Sequence, residues 1–149
     1  MAQIVVNTAQ AEALFDSLNI NKQKNILRSA IRKAINPVLQ EAKSNFKNEF
    51  QTHTGEGFKS LGLQMYRKRI GVAVGARIKA PFKGYYARFL DTGTKERFRK
   101  VAGGKVSTGK IKPSLFFNSA ASARQGQAGK DLETGVIAAL NKAINSGRI

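Results

Sequence analysis

The sequence predicts an α+β fold, and three observations carry that expectation. Apolar residues recur at three- and four-residue spacing toward both ends of the chain. Two short stretches with strand character lie between these helical segments. The two kinds of element are segregated and do not alternate. The expected architecture is therefore a long kinked N-terminal helix and C-terminal helices packed on a small antiparallel β-sheet, with a long exposed basic loop. A chain of 149 residues that is 42% hydrophobic can bury a real core, so residues 1–149 are expected to form a single domain.

Within residues 1–20, an N-terminal arm or short helix is expected, because Ala11, Leu14, Phe15 and Leu18 share helical spacing. Asn21 is then expected to cap the next helix. In residues 22–50, Leu27, Ile31, Ala34, Val38, Ala42 and Phe46 form one apolar stripe. Pro37 removes a backbone hydrogen bond there. The stripe keeps its phase across the proline, which predicts one kinked helix in place of two. Residues 58–66 and 69–78 are expected as strands joined at Arg67-Lys68; in the second, Ile70, Val72 and Val74 alternate with Gly71, Ala73 and Gly75. Residues 95–112 are basic, contain glycine and lack apolar periodicity, which predicts a long exposed loop. Pro113 is expected to open a helix carrying Leu115, Phe116, Phe117 and Ala120. A break at residues 124–130 should separate it from a C-terminal helix and tail over residues 131–149.

The stretch YYARFLDTGT at 85–94 leaves two conformations open. As a helix, it places Tyr86, Phe89 and Leu90 on one face and stops at Gly93. As a strand, it sets Tyr85, Ala87 and Phe89 against Tyr86, Arg88 and Leu90. Under either reading one or two large aromatics are left near the surface, and the alternative is that they complete the core of a small domain.

Twenty-six Lys and Arg against nine Asp and Glu give a net charge of +17. An excess of that size, scattered along the chain, speaks of partners: nucleic acid, acidic protein surfaces or complementary subunits. With no cysteine, disulfides and thiolate metal sites are excluded. No apolar run approaches the ~20 residues of a membrane span, and the first residues lack the basic segment of a cleaved signal. His53 is the only histidine, and Asp91, Glu96, Asp131 and Glu133 show no spacing for a metal or an acid–base pair. No catalytic, cofactor or metal site is therefore expected. The stretch GKVSTGK at 104–110 matches a phosphate-binding loop through its lysine, but Ile111 stands where the magnesium-binding hydroxyl belongs. Arg67, Lys68, Arg69, Lys105 and Lys110 are candidates for contact with DNA phosphates. Tyr66 and Phe98 lie near these cations, and a small basic nucleic-acid-binding protein is the alternative expectation.

The order of several short motifs adds a resemblance. Residues 26–50 form a long basic helix segment, followed by TGEGFKSL at 54–61 and VAVG at 72–75. YARFLDTGT at 86–94 and KPSLFF at 112–117 complete the series. In this order the chain resembles the neck and tail-component proteins of HK97-type long-tailed bacteriophages, the gene-ten-product-like family. Asp91 stands where that pattern usually has glutamate, Thr92 where it has an aromatic, and the 95–112 segment is long. The resemblance implies a non-enzymatic virion protein, assembled in the bacterial host cytoplasm as a ring, commonly sixfold, at the head–tail junction. Its implied partners are other copies of itself, a head-completion or connector protein, a tail terminator or tail-tube protein, and DNA passing through the ring. Tyr86, Arg88, Phe89, Lys95, Arg97, Phe98, Arg99 and Lys100 are the expected interface residues.

Overall fold

A computed structural model describes residues 8–50 and 55–145 of the chain. The fold is α+β. In order, the described elements are α1 (Thr8–Ser17), α2 (Ile20–Glu49), α3 (Glu56–Ser60), β1 (Leu61–Met65), β2 (Val72–Ala76), α4 (Tyr85–Thr92), β3 (Arg97–Val101), β4 (Gly104–Gly109) and α5 (Phe116–Asn145). The strands pair as two separate two-stranded sheets, β1–β2 and β3–β4, where one sheet was expected. His53 lies outside the described residues.

The long second helix is continuous through Pro37, as the unbroken apolar stripe requires. Its start is set by Asn19 in place of Asn21: the Asn19 carboxamide oxygen accepts the Asn21 N–H at 2.9 Å. Gln23 reaches back from α2 and donates to the Phe15 carbonyl at 2.9 Å, a second bond to the oxygen that also accepts the Leu18 N–H at 3.1 Å at the end of α1.

Three other expectations are corrected. The first three residues of the anticipated 58–66 strand belong to the short helix α3, entered through Gly55 at φ 68°, and the strand begins only at Leu61. The turn after β1 spans more than Arg67-Lys68, because the Tyr66 N–H closes onto the Gly71 carbonyl at 3.1 Å. At the C-terminal end, the two expected helices are one. α5 runs through Gly126 and Gly129 without a break, and Pro113 stays outside it. Each glycine costs a helix interior about 1 kcal/mol. Packing of the apolar face beyond them outweighs that cost.

The chain groups into two compact units. Of the described residues, one comprises 8–38, 65–73 and 124–145; its core joins Ala11, Leu18 and Leu140 with Leu14, Phe15, Ile26, Val136, Ile137 and Ile144. The other comprises 39–50, 55–64 and 74–123. Its core is aromatic. Phe46 lies 5.2 Å from Phe50 and 5.3 Å, edge-on, from Phe116 by ring centroids. Leu61, Ala87 and Ala120 are buried in the same unit.

Candidate interaction surface

The site is assembled around α4. This helix begins after Gly84, where a Cβ would sit 2.4 Å from the Arg77 carbonyl oxygen, so no side chain fits. The Gly84 N–H donates to that oxygen at 3.0 Å, while the Arg77 N–H donates to the Ser60 carbonyl at 2.9 Å. The Arg77 guanidinium donates to the carbonyls of Ser60 and Lys59 and lies 3.8 Å above the Phe82 ring. One arginine therefore fixes the point at which YYARFLDT starts to turn.

The far end of α4 is a clasp made by DTGT. The Asp91 side chain is buried, and its Oδ1 accepts the Phe117 N–H at 3.0 Å, while its main-chain oxygen accepts the Leu115 N–H at 3.0 Å. The Leu90 carbonyl takes the Ser114 N–H at 3.1 Å. A carboxylate on one helix thus satisfies one of the N-terminal donors of another, where the helix dipole also favours negative charge. Gly93 follows at φ 73°, in the left-handed region, with its Cα so close to residues 111–113 that a Cβ would meet the Ile111 oxygen at 2.8 Å. The Thr94 N–H then donates to the Ile111 carbonyl at 2.9 Å, and its hydroxyl oxygen accepts the Ile111 N–H at 3.0 Å. Each of Asp91, Gly93 and Thr94 has a structural task.

What the clasp holds is a β-hairpin. The segment expected to be a loop at 95–112 is ordered as β3 and β4, paired antiparallel across a two-residue turn at Ala102-Gly103. The expected exposure holds: every residue of both strands is exposed. Phe98, Lys100, Lys105 and Ser107 lie on one face, and Arg99, Val101 and Val106 on the other. Lys100 stands directly opposite Lys105, a like-charge pair that weakens the ribbon. Two strands alone are marginal in water. Ser107 donating to Glu96 at 2.7 Å, Thr108 donating to the Arg97 carbonyl at 3.0 Å and the clasp at the base offset this. The phosphate-loop-like stretch at 104–110 is thus largely an extended strand whose backbone is committed to β3, and it forms no phosphate cradle.

The helical state of 85–92 also decides the aromatics. Ala87 and Asp91 point inward, leaving Tyr86 54% and Phe89 42% exposed beside Tyr85. The Tyr85 and Tyr86 rings lie 4.0 Å apart by centroids, and Phe89 meets Tyr85 edge-on at 6.4 Å. Phe98 on the hairpin is 57% exposed. Arg88, Lys95, Arg97, Arg99 and Lys100 are exposed as well, so all eight expected interface residues belong to the same unit and face solvent. Arg67, Lys68 and Arg69 sit on the exposed bend after β1, in the other unit from Lys105 and Lys110. The Arg69 guanidinium covers the Tyr66 ring at 4.0 Å, and the Arg67 carbonyl accepts from Arg28 at 3.5 Å.

Two features escape the sequence expectations. Gly103-Gly104 between FRKV and KVST is a hairpin signal that exposes β3–β4. Asp91 as a cap is visible only in three dimensions, because its helix lies 26 residues away in sequence. No family model, curated protein or solved structure matches the chain. Among the described residues, no helix is long and apolar enough to cross a membrane.

Proposed function

We propose that the chain is a structural subunit of a tailed-phage virion that forms a ring, commonly sixfold, at the head–tail junction. The ring links a head-completion or connector protein to the tail terminator or tail tube, and DNA passes through it. The single observation that supports this best is the β3–β4 hairpin: a fully exposed, apolar-and-basic ribbon fastened by two helices at its base. The motif carrying the family resemblance, YARFLDTGT, is the same stretch that builds the fastening. Exposed Tyr86 and Phe89 add aromatic contact area of the kind enriched in protein interfaces. The test is made in a phage or prophage that encodes the chain. Tyr86→Ala with Phe89→Ala should yield filled heads and finished tails that fail to join, seen by electron microscopy. Normal, infectious particles from that double variant would overturn the proposal.

A small nucleic-acid-binding protein is the second proposal, favoured by the facing Lys100 and Lys105 and by the exposed Arg67-Lys68-Arg69 bend. It requires tight, steeply salt-dependent DNA binding by the isolated chain, lost on replacing those three residues. Weak binding that the triple replacement leaves unchanged would count against it.

A further inference from the structure

Nine carboxylates serve a chain of charge +17, and six of them are engaged. Asp91 takes the Phe117 N–H, Glu49 the Ser114 hydroxyl, Glu96 the Ser107 hydroxyl and Asp131 the Gln127 amide; Glu56 pairs with Lys83, and Glu41 is engaged too. The remaining three are Glu12, Asp16 and Glu133. All three are exposed, and none has a side-chain partner among the described residues. They also line the same groove, of about 350 Å³, between α1, α2 and α5. Its floor is apolar, made by Phe15, Leu27, Val136 and Ile137.

An apolar floor with an acidic rim selects an occupant of the opposite pattern: apolar side chains flanked by cations. The chain carries such a segment in β3–β4, where Phe98, Val101 and Val106 are exposed among Arg97, Arg99, Lys100 and Lys105. We propose that the groove edged by Glu12, Asp16 and Glu133 receives the β3–β4 hairpin of a second copy of this chain. Apolar hairpin side chains replace water on the groove floor, and the rim carboxylates neutralise the ribbon's cations. Charge complementarity chooses the occupant, because the rim repels most acidic partners and attracts the rest of this basic chain. The contact joins two different patches, so each copy offers one hairpin and one groove, as a closed head-to-tail ring requires. The inference deepens the ring proposal and rests on it, by naming the two surfaces through which neighbours join.

The experiment uses the full chain and two charge-reversal variants, followed by sedimentation and light scattering. The groove variant carries Glu12→Lys, Asp16→Lys and Glu133→Lys; the hairpin variant carries Arg97→Glu, Arg99→Glu and Lys100→Glu. The unaltered chain should self-associate, and each variant alone should do so at least about tenfold more weakly. Mixed together, they should associate again at one-to-one stoichiometry, because the intact hairpin of the groove variant meets the intact groove of the hairpin variant and the two reversed patches attract each other as well. A chain that stays monomeric, variants that associate normally, or a mixture that forms no pair would each overturn the inference. Because the chain has no native cysteine, Val106→Cys in one copy and Glu12→Cys in another provide a second readout. Oxidation should link the two preferentially over like pairs, and indiscriminate linking refutes the contact even if a charge variant misfolds. Particle morphology separates the two proposals. Joined heads and tails with both charge variants would reject this contact and leave the ring proposal standing, whereas normal particles with Tyr86→Ala and Phe89→Ala reject the ring proposal itself.

Discussion

Replacing Asp91 by alanine isolates the energetic contribution of the clasp. The side chain accepts the Phe117 N–H at 3.0 Å from a buried position. Loss of a helix cap costs about 0.5–2 kcal/mol. Loss of a carboxylate near a helix N-terminus removes a further ~0.3–1 kcal/mol. The sum is roughly 1–3 kcal/mol, which corresponds to a fall of roughly 2–12 °C in Tm for a chain of this size. Asp91→Asn keeps an acceptor and loses only the charge, so it should cost less than about 1 kcal/mol. Thermal and urea unfolding followed by helix circular dichroism should rank the unaltered chain above Asn and Asn above Ala. If Asp91→Ala lies within ~0.3 kcal/mol of the unaltered chain, or Asn is as damaging as Ala, the cap is not what starts α5.

Other consequences are equally direct. Gly126→Ala and Gly129→Ala, where an added Cβ meets nothing within 4 Å, should each stabilise α5 by about 0.5–1 kcal/mol in the same unfolding assay. Gly84→Ala should destabilise by more than about 2 kcal/mol, since its Cβ would collide with main chain, and it should lower the yield of folded protein. The Tyr85 hydroxyl is held above the usual value of 10.0, first by its hydrogen bond with Tyr86 and then by desolvation. Folding favours its neutral form, so the stabilisation is full below pH 10 and is lost as pH rises through the raised folded value. An alkaline absorbance titration should show a late step for Tyr85 that Tyr86→Phe moves earlier.

The elements that sequence revealed were those whose period belongs to the element itself. Leu27 through Phe46 repeat without a slip, and so α2 was legible across Pro37. α5 was not, because local propensity at Gly126 and Gly129 argues for a break while the support for continuity comes from packing elsewhere. Likewise, the hairpin has no apolar face to betray a strand period: both faces mix cations with isolated apolar residues. Exposure of Tyr86 and Phe89 depended on the helical phase of α4, which the short stretch left open until Ala87 and Asp91 were seen to be buried. The groove carboxylates were invisible for a different reason. Glu133 lies far along the chain from Glu12 and Asp16, and only the packing of α5 beside α1 brings the three together.

The exposed hairpin also makes the chain its own reporter of assembly. Lys95, Arg97, Arg99, Lys100, Lys105 and Lys110 offer a dense run of trypsin sites on a ribbon that opens easily. In a free chain, cleavage should begin there. Once the ribbon is seated against a partner, the same bonds become the slowest of the exposed ones to be cut. A brief digestion followed by mass measurement then counts occupied hairpins directly.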